Sequence, residues 1–263
     1  MVLTIHHLHA SQSERLPWLC EELSIPYELK TYRRAPYLAP PEYKALHPAG
    51  TSPVLQDGDL TLAESGACVE YIAHVYGGGR LFVPPPARAV LTGPDTGPGT
   101  SSNTSSGSDS GTTSGSASET ISGTTPDKHP YPTFLYWYHW ANSTFQPAIG
   151  RSLAAKSANL PPESGPAKLA AERLHRSLTA LEARLSTSHY LAGPCLTAAD
   201  IMVVFSLTTM RQFYAYSLAE QPAIVAYLRR IAERPAYRRA MQRCDPDMEL
   251  AIGADPPAPF AGG

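Results

Sequence analysis

GTSPVLQDGDLTLAESGACVEY, residues 50–71, decides the fold. It reads as a tight turn, a proline, a short strand, a hairpin, a second strand and a helix start. Asp57-Gly58 is a dipeptide that closes hairpins. The runs Val54-Leu55 and Leu60-Thr61-Leu62 on either side are strand-like. Glu64-Ser65 then stands where a helix over 66–76 opens with unpaired amides. Pro53 removes one backbone donor from an edge strand. An exposed strand edge beside a helix N-terminus suits a small peptide-like anion.

Working outward, residues 2–7 predict a first strand and 11–24 a helix. Leu16, Leu19, Cys20 and Leu23 share one face of that helix. Residues 27–31 predict a strand parallel to the first in a βαβ unit, and 40–46 a short helix. The order through residue 76 is therefore β-α-β-α-β-β-α, and Gly77-Gly78-Gly79 stops the last helix. From about residue 84 to 128, Gly, Ser, Thr and Pro dominate. Such a stretch buries too little apolar surface to offset its ordering entropy, so it reads as a disordered insert. Helical patterns return over 134–145, 166–186, 196–216, 222–233 and 235–243. In the second of these Leu174, Leu178, Leu181 and Leu185 form a seam. The division expected is 1–82 as an α/β domain, 83–129 as a linker, 130–245 as an all-helical domain and 246–263 as a flexible tail.

Composition excludes several classes. A net charge of -2 gives no sign of a nucleic-acid partner. The four cysteines, Cys20, Cys68, Cys195 and Cys244, form no CxxC pair, so neither a zinc ribbon nor a redox dithiol is indicated. Reduced thiols in a cytoplasmic protein are expected. The first residues, MVLTIHHLHA, read as a strand rather than a signal peptide. No apolar run approaches the roughly 20 residues a bilayer span needs, so no membrane partner is expected. His6, His7 and His9 alternate faces with no acid or thiol spaced beside them, so no metal site is expected.

Three segments carry a family resemblance: HHLHASQSERLPWLCEELSIPYELK (6–30), HPAGTSPVLQDGDLTLAESGACVEYIAHVYG (47–77) and LAGPCLTAADIMVVFSL (191–207). The chain resembles the glutathione S-transferases in everything except the central insert and the tail. The resemblance implies a thioredoxin-like N-terminal domain followed by an all-helical bundle. It implies a cytosolic enzyme of the serine type, like fungal and bacterial members, with glutathione as co-substrate and no metal.

Ser11 and Ser13 follow the first strand at the start of a helix. A thiolate there meets a hydroxyl donor, free amides and the helix dipole, and all three favour its charged form. By its spacing to Arg15, Ser11 matches the catalytic serine, with Ser13 as the alternative. Ser11 and Glu14 also compose an S-x-x-E capping box. Pro17 is expected just past the first turn, where it costs a hydrogen bond or bends the helix.

The remaining assignments follow from the resemblance. Ser52 offers its backbone to the cysteinyl part, next to a cis Pro53. Glu64 accepts from the γ-glutamyl ammonium, and Ser65 binds the α-carboxylate by hydroxyl and N–H. Lys44 and His47 are the cations for the glycyl carboxylate; many relatives carry a lysine where this chain has Thr51. Tyr136, Trp137 and Trp140 stand on a helix with aromatics all round; core packing is the default for each ring taken singly, and one face is open to line an electrophile pocket or a subunit contact. Tyr214 and Tyr216 also lie in reach of a cleft. Thr197-Ala-Ala-Asp200 is a capping box with a structural role.

The function expected is conjugation of glutathione to an electrophilic small molecule, in detoxification or secondary metabolism, by a homodimer. Two alternatives stand beside it. One is a non-catalytic glutathione-binding module of the same fold. The other is glutathione-dependent isomerisation or reduction, although reduction normally employs a cysteine where Ser11 stands.

Overall fold

The computed structural model describes residues 2–35, 38–86 and 128–260; most of the low-complexity insert expected at 83–129 lies outside them. Strands β1 (Leu3–Leu8), β2 (Tyr27–Tyr32), β3 (Val54–Asp57) and β4 (Leu60–Ala63) form one sheet in the order β2-β1-β3-β4. β1 and β2 are parallel, joined through α1 (Arg15–Leu23), whereas β3 and β4 pair antiparallel. The hairpin is displaced by one residue from the sequence reading. Asp57 pairs with Leu60, and the turn residues are Gly58 and Asp59. Gly58 has φ 61°, a conformation that favours glycine. A short α2 (Pro41–Lys44) precedes the hairpin, and α3 (Ser65–Tyr71) follows it, continuing as a π-helical turn over Ile72–Tyr76.

The apolar positions read from the sequence face inward. Leu16, Leu19, Cys20 and Leu23 of α1 are buried with Leu3, Ile5 and Leu55 of the sheet. Pro17 costs the helix nothing. A 3₁₀ turn over Gln12–Glu14 delays the α-helix to Arg15, which places Pro17 in the first turn, where amides have no intrahelical partner. The reciprocal capping box is not formed. Ser11 caps by accepting from the Ser13 N–H at 3.3 Å, but the Glu14 carboxyl turns inward to Thr209.

The helical half comprises α4 (Pro130–Trp140) with a π turn over Ala141–Phe145, α5 (Gln146–Ser157), α6 (Gly165–Leu185), α7 (Ala198–Leu207), α8 (Pro222–Ala232) and α9 (Pro235–Cys244). Helix α5 has no counterpart in the sequence reading. Its buried face is made of Ala148, Ile149 and Ser152, too small and polar to draw a hydrophobic seam. Every residue of α7 is buried, and α7 packs against both α1 and α4. Its capping box is complete: Asp200 accepts from Thr197 N–H at 2.9 Å and also from Leu191 N–H and the Tyr227 hydroxyl.

The tail departs from expectation. Residues 246–260 cross the helical half, with Met248, Leu250, Ile252 and Ala254 against the core. The cause is Arg211, fully buried after α7. Its guanidinium donates to the carbonyls of Tyr216, Ala251, Gly253 and Asp255 at 2.7–3.3 Å. Among the described residues, no helix is long and apolar enough to cross a membrane.

Candidate functional site

The turn after β1 brings Ser11 to a cleft of about 670 Å³ between the two halves of the molecule. One wall is polar, formed by Ser11, Gln12, Gly50, Thr51 and Ser52. The other is largely apolar, with Leu153 of α5, Phe205 of α7, Met210, Phe213 and the tail's Phe260. The Ser11 hydroxyl lies 2.8 Å from the Ser52 hydroxyl and 2.7 Å from that of Ser13. The Ser52–Pro53 peptide is cis.

Ser13 does not reach the cleft. It is fully buried behind Ser11, accepts from Leu8 N–H at 3.1 Å and lies 2.8 Å from His7 Nδ1. Of the two serines, only Ser11 borders the cleft. The three histidines disperse as strand alternation requires. His6 bonds Tyr32 and Gln56, while His7 and His9 approach Asp245 at the end of α9 at 3.1 and 3.4 Å. Among the described residues no cluster could hold a metal ion.

Glu64 and Ser65 open α3 as the sequence suggested. Glu64 is exposed with φ 72°, a conformation disfavoured for a side chain with a Cβ. Ser65 is buried, and its hydroxyl is already engaged: it accepts from Arg15 at 2.8 Å and Asn142 at 3.0 Å. What Ser65 presents at the helix start is therefore its backbone rather than its side chain. Gln12, which the sequence reading passed over, joins the two corners. Its amide donates to the Ser52 carbonyl at 2.8 Å, and its oxygen accepts from Arg15 and Gln146.

Arg15 anchors that junction. It is fully buried and donates to Gln12, Ser65, Asn142, Gln146 and the Met202 carbonyl at 2.6–3.0 Å. Its guanidinium also lies 5.3 Å from the Phe205 ring centroid. Burial draws its pKa down to about 10, with neighbouring Glu14 opposing the shift. Burial likewise pushes the Glu14 carboxyl up to about 8, opposed by the Thr209 hydrogen bond.

Of the expected site residues, Ser11 and Ser52 border this cleft; Pro53, Glu64 and Ser65 lie beyond its lining, and the others stand elsewhere. Lys44 is exposed and His47 half-buried, and neither borders the cleft; Arg34 is the cation that does. Arg34 donates to the carbonyls of His9 and Ala10 and stacks 5.0 Å from the Phe213 ring centroid. Tyr136 and Trp140 border a separate cavity of about 500 Å³ with Arg151, Glu172 and Arg176. Trp137 packs between those two rings, with centroid distances of 5.0 and 5.1 Å. The aromatic wall of the Ser11 cleft comes from Phe205, Phe213 and Phe260, while Tyr216 is buried on the Ser206 carbonyl. Phe205 comes from α7 itself, while the 3₁₀ turn after it (Thr209–Gln212) and the returning tail place Phe213 and Phe260. Short-range patterns carry no signal for such contacts.

Residues 10–75 match the family model for the glutathione S-transferase N-terminal domain, and residues 151–235 match the model for the glutathione S-transferase C-terminal domain. The chain belongs to the glutathione S-transferase family. Glutathione S-transferase 3 of Schizosaccharomyces pombe is 26% identical over 98% of this chain and 96% of its own. A glutathione S-transferase from Actinobacillus pleuropneumoniae superposes with a TM-score of 0.70 at 26% identity, covering 95% of this chain and 99% of that one. The glutathione transferase URE2P8 of Phanerochaete chrysosporium, solved with oxidized glutathione, shares the fold at a TM-score of 0.62 and 22% identity, over 92% and 94% of the two chains. As in other glutathione S-transferases, the sheet and its helices form a thioredoxin-like unit followed by helices.

Proposed function

We propose that this glutathione S-transferase binds glutathione along the polar wall of the cleft and conjugates it to an apolar electrophile held on the opposite wall. The single observation that carries the reading is the Ser11 hydroxyl at the seam between those walls. A sulfur placed there takes a hydrogen bond from Ser11 beside the amides of the first 3₁₀ turn. A cysteine-type thiol ionises near about 8.5, and each unit of depression favours the thiolate by about 1.4 kcal/mol.

The peptide's other contacts follow its shape. The Ser52 backbone, next to Pro53, pairs with the cysteinyl part once Gln12 yields the carbonyl. Glu64 takes the γ-glutamyl ammonium, and the Ser65 N–H takes the α-carboxylate. Arg34 is better placed on the cleft than Lys44 or His47 to face the glycyl carboxylate. Leu153, Phe205, Met210, Phe213 and Phe260 hold the electrophile. The protein works in the cytoplasm as a homodimer; the exposed Val75 and Tyr76 of the π turn after α3 and Tyr136 on α4 supply apolar contact surface, and sedimentation as a monomer would overturn this part.

The test is turnover of glutathione with a chlorinated nitroaromatic. A hydrogen bond to a charged group is worth about 1.5–3 kcal/mol. Ser11→Ala is therefore expected to lower kcat/KM by roughly ten- to a hundredfold. Unchanged turnover in Ser11→Ala would refute the assignment.

A further inference from the structure

A chain of hydrogen bonds runs inward from Ser11 through groups that the conjugation chemistry has not used. Ser11 Oγ is 2.7 Å from Ser13 Oγ, Ser13 Oγ is 2.8 Å from His7 Nδ1, and His7 Nε2 is 3.1 Å from Asp245 Oδ2. Ser11, Ser13, His7 and Asp245 are all buried, and the first and last members stand 234 positions apart in the sequence. Asp245 also accepts from Ala10 N–H at 3.2 Å. The chain therefore begins at the cleft, passes through His7 on β1 and ends at Asp245, the residue that follows α9.

The direction of each bond is constrained. A carboxylate only accepts, so Nε2 of His7 carries a hydrogen and gives it to Asp245. That leaves Nδ1 to set the polarity of the rest. With Nδ1 unprotonated, Ser13 donates to His7, and Ser11 donates inward to Ser13. With Nδ1 protonated, His7 donates to Ser13, Ser13 donates to Ser11, and the Ser11 hydrogen turns outward to the cleft. Ser11 Oγ also accepts from Ser13 N–H at 3.3 Å, so the Ser52 hydroxyl turns its hydrogen away from Ser11 when the thiol or Ser13 donates to it.

We propose that His7 accepts the glutathione thiol proton through Ser11 and Ser13. The step rests on the placement of the sulfur at Ser11. The S–H proton passes to Ser11 Oγ, the Ser11 proton to Ser13 Oγ, and the Ser13 proton to His7 Nδ1. Each hydroxyl gives one hydrogen and takes one, so a thiol and an imidazole become a thiolate and an imidazolium. The transfer also reverses the chain, leaving Ser11 donating to the thiolate it has made. Asp245 is a positioning residue: it fixes the imidazole tautomer and compensates the buried cation. Asp245 is the carboxylate in contact with His7, at 3.1 Å from Nε2, and it also meets His9 Nε2 at 3.4 Å.

The distinguishing consequence is where the proton goes. The holo-like state is reached by adding glutathione to the intact protein in weak buffer containing a pH indicator. Thiolate is read by its ultraviolet absorbance and released protons by the indicator, with S-methylglutathione as the baseline for exchange unrelated to sulfur. The wild-type protein is expected to form thiolate while releasing well under one proton for each. Ser13→Ala, which leaves the His7–Asp245 pair intact, is expected to form less thiolate and to release a full proton for each. His7→Gln should match it, and the double variant should be no worse than either alone. Full proton release by the wild type, or wild-type stoichiometry in Ser13→Ala, would overturn the relay while leaving Ser11 in place. Undiminished thiolate in Ser11→Ala would overturn the relay together with the reading on which it rests.

Discussion

Replacing Glu14 by Gln should remove much of the protein's loss of stability at alkaline pH. The Glu14 side chain is 2% exposed and accepts from Thr209 Oγ1 at 2.6 Å. Burial lifts its pKa from 4.5 to about 8, the Thr209 bond and Arg15 pull it back, and Asp245 adds to the rise. A carboxyl whose folded pKa is raised holds its proton more tightly in the native state. Its stabilising contribution is complete below the unfolded value and is lost as pH climbs through the folded one. At about 1.4 kcal/mol per unit, the displacement sets a ceiling on the order of 5 kcal/mol. Relaxation around the ionised group reduces this, so roughly half is expected to be realised. For a chain of this size, about 2–4 °C accompanies each kcal/mol. Circular-dichroism melts should therefore show the wild type losing about 5–10 °C more than Glu14→Gln between about pH 5 and about pH 9. Gln is nearly isosteric with the protonated acid and keeps an acceptor for Thr209, so the two proteins should melt alike at the acidic end. Parallel Tm–pH curves for the two would refute a neutral, buried Glu14.

Three further outcomes follow from other contacts. Arg211→Met strands the buried Tyr216 carbonyl and cuts the tail's ties at Ala251, Gly253 and Asp255, and should cost about 3 kcal/mol; its Tm should fall and limited proteolysis should then cut within 246–260, whereas a wild-type Tm would deny Arg211 its anchoring role. Cys195 is exposed, whereas burial pushes Cys20 and Cys68 up to about 12 and raises Cys244, so a thiol reagent on the native protein should label Cys195 first, and comparable labelling of Cys20 by mass spectrometry would contradict this. Phe213→Ala removes part of the apolar wall, about 1–2 kcal/mol of contact; KM for an apolar electrophile should rise several-fold with glutathione affinity unchanged, and an unaltered KM would remove Phe213 from the electrophile wall.

What the sequence disclosed was mainly local. Gly58 and its flanking β-branched and leucine positions announced the hairpin, and Thr197 with Asp200 announced the start of α7. The leucines of α1 and α6 marked their buried faces. Glu64-Ser65 signalled a helix start, but the Ser65 side chain proved to be held by Arg15 and Asn142, partners that sequence spacing does not reveal. The same limit applies to Phe260, Arg34 and Asp245, each brought to the cleft or its base by tertiary packing. Tyr136, Trp137 and Trp140 stand away from the Ser11 cleft for a different reason. Large aromatics are good markers of burial, but burial is available at many surfaces. Here those rings pack beside α5 and α6. The small-residue face of α5 and the 3₁₀ delay before α1 left no periodic trace at all.

The five acceptors around Arg15 also constrain how such chains can be recombined. Gln12 and Ser65 belong to the first half of the molecule, and Asn142, Gln146 and the Met202 carbonyl to the second. A chimera carrying this N-terminal half on another helical half would inherit the guanidinium without its matching amides. An uncompensated cation at that depth is far more costly than an ordinary seam mismatch. Successful exchanges should therefore transplant positions 15, 142 and 146 as one block, whatever else is shuffled around them.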